Sequence, residues 1–324
     1  MKIIRDRSEV LKRLRENGAA PILCPNAETP DEMEGVFLGA QRHAVERDMP
    51  AAVVGIGVTA SYPDHPQLGR LAMGDSSGAL ASAARTWLGW LDVYADRDGL
   101  FDRVEAIPFL DHGWAPLEAD RNLMKSHWFQ EAMGIIMFDA SLHEFEENVE
   151  LTADYVREAG KHVVVEACPD KVYERAEIER KMLDEAGMLS DPARVREFVN
   201  LTGVDLVVPN LGTEHRTVSK VPLEYHRDIA QGIKNQVGPI QALHGTSSLG
   251  ERLRTVGEDG ICKVNFYTAM ALGASVAVKS GWDQAPSGEP LPISLACGSA
   301  IHATRRGAFA ETTRTMLDLL AGQG

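Results

Sequence analysis

The sequence predicts a (β/α)8 TIM barrel, and three observations support this fold class. Short apolar runs alternate with helix-like segments along the chain, and eight of these runs are typical of strands buried on both faces. The length of 324 residues suits one barrel-sized domain. The first run is followed by Cys24-Pro-Asn-Ala27 rather than a Gly-rich phosphate turn, which disfavours the alternative of a doubly wound open sheet.

The predicted strands are spaced so that a helix fits between each pair. In chain order they span Ala20–Pro25, Ala51–Gly57, Val104–Asp111, Gly134–Asp139, His162–Ala167, Val204–Pro209, Pro239–Leu243 and Ile261–Tyr267. Thr29 predicts the start of the first of these helices, with proline at the first helical position and Glu32 completing a capping box. Another helix is predicted over Glu144–Lys161. We expect a single domain over residues 1–324, with a helical extension at the C-terminus.

Two stretches are longer than ordinary connections, namely Thr59–Ser77 and Ser280–Pro292. Long loops of this kind are either lids and binding loops or plain surface excursions.

Composition limits the partners that the protein can have. Asp and Glu outnumber Lys and Arg by 47 to 33, which gives a net charge of −14 and disfavours nucleic acid or anionic lipid as a partner. The four cysteines are scattered without a CxxC pair, as is usual in a reducing compartment. The N-terminus lacks the apolar region of a signal peptide, and no run is long enough to span a membrane. We therefore expect a cytoplasmic protein.

Three histidines stand where a strand-like run gives way to a Gly-containing turn: His112, His215 and His244. A parallel barrel brings the carboxyl ends of its strands together on one face, so these imidazoles can converge although they are far apart in sequence. A single histidine in such a place is usually an ordinary hydrogen-bonded core residue, but three favour a metal site. Three imidazoles suit Zn²⁺ or a similar divalent metal and leave one coordination position open for substrate.

Other polar groups occupy strand ends, and they are Asp111, Asp139, Glu166, Cys168 and Asn265. The remaining histidines on helices and in turns are interpreted as structural: His43, His127, His143, His226 and His302. His65 lies in the long second loop, and its function is left open.

Several motifs together resemble the class II, zinc-dependent fructose-bisphosphate and tagatose-bisphosphate aldolases. Their order and approximate spacing agree from about Asn26 to Thr268. The motifs are Phe109-Leu-Asp-His-Gly113, Met137-Phe-Asp-Ala-Ser141, Val165-Glu166-Ala167, Gly212-Thr-Glu-His215, Leu243-His-Gly-Thr-Ser247 and Lys263-Val-Asn265.

The resemblance implies a role for each matching residue. His112, His215 and His244 would bind Zn²⁺ or another divalent metal, with Asp139, Glu166 and Cys168 as further candidate ligands. Asp111 would be the general acid/base, and the metal would stabilise an enediolate of the donor. An anionic, sugar-like substrate would contact a set of polar residues: Asn26, Arg216, Gly245, Ser247, Asn265 and Thr268. For Ser247 and Thr268, ordinary helix capping is an equal alternative. The family likeness also suggests a homo-oligomer.

The chain departs from the family pattern at several positions, which limits the prediction of the substrate. Cys168 replaces a second glutamate, and the loop after the fifth strand leaves Glu174 as a weak candidate for the donor-proton carrier. Arg216 replaces a glycine, so it either grips a phosphate or carboxylate or lies on the surface. Tyr267 stands where a small or acidic residue is usual. The doublet Arg305-Arg306 is either a second anion site or a solvated face.

Three hypotheses follow. The first is a metal-dependent aldolase acting on a phosphorylated or otherwise anionic ketose-like substrate. The second is a metal hydrolase in which Asp111 is the base for a metal-bound water. The third is a catalytically degenerate barrel that binds metal, which explains the retained Asp111 poorly.

Overall fold

Eight parallel strands close into a barrel in the computed structural model, and this confirms the predicted fold class. The structure describes residues 1–16, 20–63, 65–72, 76–96, 99–171, 188–213, 224–283, 293–296 and 298–322. The barrel strands are β2 (Ile22–Pro25), β3 (Ala52–Thr59), β4 (Val104–Trp114), β5 (Ile135–Asp139), β6 (Val164–Ala167), β7 (Leu206–Val207), β8 (Gln241–Leu243) and β9 (Ile261–Phe266). Each overlaps one predicted strand, and pairing of β4 with β5 and of β2 with β9 closes the circle.

One further strand was not predicted. β1 (Lys2–Ile3) pairs with the beginning of β4, at Glu105 and Ala106. A two-residue strand is too short to leave an alternation pattern in the sequence.

Helices surround the barrel within the described ranges. They are α1 (Arg7–Glu16), α2 (Pro30–Glu46), α3 (Gln67–Ala72), α4 (Ser77–Ala95), α5 (Glu118–Lys125), α6 (His127–Ala132), α7 (Phe145–Ala159), α8 (Pro192–Thr202), α9 (Arg227–Val237), α10 (Thr268–Trp282), α11 (Ile293–Ala296) and α12 (Ser299–Leu320), with 3₁₀ segments at Thr246–Ser248 and Gly250–Asp259. Among these helices, none is long and apolar enough to cross a membrane.

The start of α2 was predicted correctly, but its capping was not. The helix begins at Pro30, yet Thr29 makes no side-chain cap to it. The Thr29 hydroxyl accepts instead from Arg305 of α12 at 3.0 Å, and the Glu32 carboxylate accepts from the backbone amide of Glu28 at 2.7 Å. The contact between Thr29 and α12 therefore takes the place of the predicted side-chain cap at the start of α2.

The interior of the barrel is apolar at the amino ends of the strands and polar at the carboxyl ends. The apolar end contains a buried cluster closed from below by α1: Ile4, Val10, Leu14, Ile22, Cys24, Ile107, Phe109, Ile135, Val164, Leu206 and Cys262. Phe109 reaches the region of Gly57, where an added Cβ would stand 2.1 Å from the ring. The ring of Phe109 consequently forms part of the floor beneath the polar end.

The C-terminal helix α12 packs on α2 with almost no space between them. A Cβ added at Gly39 would lie 2.4 Å from the carbonyl oxygen of Ala310 and 2.7 Å from Cβ of Thr313. Polar contacts join the same two helices, since Arg305 pairs with Glu32 and the buried His43 contacts Asp318 at 2.7 Å. Neighbouring Arg306 pairs with Glu34 at 3.2 Å, so both arginines of the doublet engage carboxylates of α2.

Replacement of Gly39 by alanine is expected to lower the free energy of unfolding by about 1–3 kcal/mol, because the added methyl group forces two backbones apart. Gly89→Ala on α4 is the matched control, since a Cβ there meets nothing within 4 Å. This control is expected to raise stability by about 0.5–1 kcal/mol through helix propensity. Urea denaturation of both variants measures the difference, and equal effects would contradict the tight α2–α12 contact.

Candidate functional site

A bulge in β4 turns two consecutive side chains into the same cavity. The strand was predicted to end at Asp111 but continues to Trp114. Leu110 pairs with Ile136 and Gly113 with Phe138, so Asp111 and His112 together oppose one residue of β5. His112 also has a left-handed backbone, with φ of +48°. Neighbours in a regular strand face opposite sides, whereas both of these residues line the cavity at the carboxyl end of the barrel.

Asp111, His112 and His244 form a group that could hold a metal ion. One ligand atom from each lies within 4.8 Å of the others. The Nδ1 of His112 contacts Oδ2 of Asp139 at 2.6 Å, and the Nε2 of His244 contacts Oε1 of Glu166 at 3.1 Å. A carboxylate behind each imidazole fixes the ring and leaves its other nitrogen directed elsewhere, which is the usual arrangement of metal-binding histidines. The donor set therefore fits a divalent metal.

Two predicted site residues cannot be placed in this geometry. His215, the third predicted ligand, and Arg216 lie in residues 214–223, outside the described residues. Glu174, the weak candidate for the donor-proton carrier, also lies outside them.

The pKa values of the two imidazoles are shifted in opposite directions. Burial lowers the pKa of His244, and the hydrogen bond with Glu166 offsets only part of this effect. Burial also acts to lower the pKa of His112, but the contact with Asp139 and the charge of Asp111 raise it above its ordinary value. A neutral imidazole is the form that binds metal, and burial favours this form of His244.

The carboxylate of Asp111 is held by two asparagine amides. Asn26 donates to Oδ2 and Asn265 donates to Oδ1, each at 2.8 Å. Burial alone favours the neutral acid, but the charges of His112, His244 and the buried Lys263 outweigh it and lower the pKa of Asp111 to about 2. Asp111 is therefore a fixed, ionised carboxylate at neutral pH.

The turn after β8 brings polar groups to another side of the cavity. Gly245 has a left-handed backbone, and Ser247 follows it in the 3₁₀ segment. The Ser247 hydroxyl accepts from the backbone amide of Ala269 at 3.1 Å, which is the capping interaction considered as an alternative. Gly245, Ser247 and Thr268 all line the cavity beside the N-terminus of α10, a location that favours anions.

The long stretch after β3 supplies a wall of the cavity that sequence motifs did not identify. Tyr62 stacks on the imidazole of His112 with ring centroids 4.5 Å apart, and His65 contacts the ring of Tyr267 at 4.8 Å. The loop is tied to β3 because Gln67 accepts from the backbone amide of Thr59 at 2.8 Å. Excess length of the loop was the available signal, but nothing in the sequence singled out Tyr62 or Gln67.

The three further candidate ligands, Asp139, Glu166 and Cys168, occupy different places in the structure. Asp139 and Glu166 lie behind the imidazoles as hydrogen-bond partners. Cys168 is buried in an apolar cluster with Met137, Val208 and Ala242, and burial raises the pKa of its thiol well above the usual value. A thiol in these surroundings is predominantly protonated and poorly suited to bind metal.

Comparison with known proteins identifies the family of the chain. The family model described as fructose-bisphosphate aldolase class-II matches residues 93–318. The chain belongs to this family. It is also 30% identical to the uncharacterized protein YdjI of Escherichia coli strain K12 over 189 residues, which are 56% of this chain and 63% of YdjI. The matched part is thus less than two thirds of the length of that relative.

Solved structures show the same fold. The YdjI aldolase from E. coli K12 superposes with a TM-score of 0.65 at 21% identity, covering 98% of this chain and 97% of that one. Fructose-bisphosphate aldolase from Campylobacter jejuni superposes with a TM-score of 0.74 at 14% identity, covering 99% of this chain and 96% of that one.

Proposed function

We propose that the protein is a metal-dependent class II aldolase that makes or breaks a carbon–carbon bond next to a ketone. The proposed substrate is a phosphorylated or otherwise anionic, ketose-like molecule. One observation carries the proposal: the carboxyl group of Asp111, fixed by two amides, stands beside two imidazoles that are each backed by a carboxylate.

His112 and His244 would bind the metal, with His215 as the predicted third ligand. When bound, a divalent ion such as Zn²⁺ supplies Lewis-acid polarisation of the donor oxygens. Asp139 and Glu166 contribute by holding the two rings in orientation.

Asp111 would move the proton of the reacting hydroxyl. In the cleavage direction its carboxylate accepts that proton as the hydroxyl oxygen becomes the carbonyl of the released aldehyde, and in synthesis the proton returns. The amides of Asn26 and Asn265 fix both carboxylate oxygens, so that the base is in place before substrate arrives.

The anionic group of the substrate would bind at the start of α10. Gly245, Ser247, Asn265 and Thr268 line this end of the cavity, and Arg216 is predicted to contribute a cation. Since the net charge of the chain is −14, such local donors are needed to attract an anion.

The proposal is tested with purified protein and a panel of ketose phosphates and ketose acids. We expect about one zinc-like ion per chain by elemental analysis, release of an aldehyde by mass spectrometry, and exchange of a donor C–H proton in deuterated water. Hydrolysis products without aldehyde release would favour the metal hydrolase. Metal-loaded protein that exchanges no donor proton across the panel would exclude the aldolase.

A further inference from the structure

A lysine is buried inside the polar end of the barrel, on β9. The side chain of Lys263 is 0% exposed, and its Nζ lies 4.6 Å from the centre of the Phe109 ring. The charged end faces the carboxylate of Glu166, at 2.9 Å from Oε2 and 3.1 Å from Oε1, and it also donates to the side-chain oxygen of Asn265. Lys263 therefore sits directly beneath the site without lining the cavity.

Lys263 joins two separate parts of the site through these contacts. On one side Glu166 accepts from Lys263 and contacts Nε2 of His244. On the other side Asn265 accepts from Lys263 and donates to Oδ1 of Asp111. One ammonium group thus contacts both the carboxylate behind the imidazole and the amide that holds the proposed acid/base.

The chemistry of an ammonium group makes these contacts directional. It has three donors and no acceptor, so only the oxygen of the Asn265 amide can face it. The amide nitrogen must then face Asp111, which is the orientation that holds that residue as a carboxylate. Without the ammonium group the amide could rotate and present its oxygen to Asp111, which would repel the carboxylate.

Stability alone does not explain a charge in this position. Desolvation of a buried ion pair commonly costs as much as the attraction returns, and an apolar residue of similar volume often serves at least as well. Phe109, which Lys263 contacts, belongs to an apolar cluster that also contains Cys24 and Cys262, so these neighbours do not require a charge at position 263. The charge is more readily explained by the orientation that it imposes on its two partners.

We propose that Lys263 is a positioning residue that orients His244 through Glu166 and Asp111 through Asn265. This inference rests on the proposed function, because it assumes that His244 binds metal and that Asp111 carries the proton. Loss of the Lys263 side chain is therefore expected to weaken metal binding and proton transfer together, although Lys263 contacts neither metal nor substrate.

The test compares Lys263→Met with Lys279→Met, which removes an exposed lysine paired with Asp283 at 3.0 Å. Apoprotein is titrated with Co²⁺ and followed by its visible absorption, and cleavage of the best substrate is measured at saturating Co²⁺. We expect the Co²⁺ dissociation constant of Lys263→Met to rise by about 10–100-fold, as for loss of other groups behind metal ligands. Its kcat should fall even when metal is saturating, and Lys279→Met should match wild type in both measurements.

A second comparison separates positioning from a merely structural effect. Asn265→Ala is made both in wild type and in Lys263→Met. In wild type, kcat should fall strongly. In Lys263→Met, kcat should fall little further, because the orientation of the Asn265 amide toward Asp111 is already lost. If near-UV circular dichroism shows that Lys263→Met does not fold, Lys263→Gln is used in its place in both comparisons. The glutamine side chain keeps a hydrogen-bond donor but carries no charge. Folded variants with wild-type Co²⁺ affinity and kcat would overturn the inference.

The outcomes for wild type distinguish the inference from the proposed function. Wild-type protein that binds no Co²⁺ would refute the metal premise and the inference with it. Wild-type protein that binds Co²⁺ but cleaves no substrate would refute the aldolase, and the Co²⁺ affinity of Lys263→Met would then decide the inference for His244.

Discussion

Asp111→Asn is expected to lower the rate of carbon–carbon cleavage by about 10²–10⁴-fold, which is the usual contribution of a positioned acid/base group. The substitution keeps the size of the side chain but removes its charge. It also places an amide among the amides of Asn26 and Asn265, both of which donate to the carboxylate at 2.8 Å. With both asparagine amides in their present orientation, one amide pair then faces donor to donor, so the new side chain does not reproduce the fixed carboxylate.

Two measurements on the same variant test this role. Cleavage is measured by aldehyde release, and donor proton exchange is measured in deuterated water. Because Asp111 is assigned to the hydroxyl proton, cleavage should fall much more than exchange. Asp283→Asn is the control, since that exposed carboxylate contacts only Lys279 among the partners that the structure gives it. Equal losses of cleavage and exchange would instead place Asp111 at the donor C–H proton.

The positions of the barrel strands could be predicted from sequence because their physical cause is local. Strands buried on both faces must be apolar along their length, and the run Val163–Ala167 with its single Glu166 shows this pattern. The topology of the barrel likewise predicted that polar residues at strand ends meet on one face. Asp111, His112 and His244, which lie more than 130 residues apart at the extremes, were brought together by this reasoning and converge in the structure.

What the sequence could not predict depends on contacts between distant segments. The bulge that turns both Asp111 and His112 into the cavity arises from register with β5, and no residue type in β4 announces it. The stacking of Tyr62 on His112 depends on the path of a long loop. Lys263 did leave a signal, since a charged residue inside the apolar strand Ile261–Phe266 requires a buried partner. Only the fold identifies that partner as Glu166.

His112→Ala is expected to weaken metal binding more than the roughly 10–100-fold that follows loss of a group behind a ligand, because it removes a ligand itself. His43→Ala is a closely matched control. Both imidazoles are buried and both bond through Nδ1 to a carboxylate, His112 to Asp139 at 2.6 Å and His43 to Asp318 at 2.7 Å. Each variant therefore loses a hydrogen bond between a buried imidazole and a carboxylate, but only one of these bonds lies in the site.

Metal content after dialysis against limiting Zn²⁺ and the urea midpoint of the apoprotein separate these effects. Both apoproteins should lose stability, and for His112→Ala the loss should be about 1–3 kcal/mol because the buried Asp139 is deprived of its partner. In His43→Ala the remaining contacts of Asp318 with Arg47 at 3.2 Å and Arg314 at 3.0 Å should limit that loss. His112→Ala alone should lose its metal. If His43→Ala lost metal to the same extent, the loss would report general destabilisation, and the assignment of His112 as a ligand would be wrong.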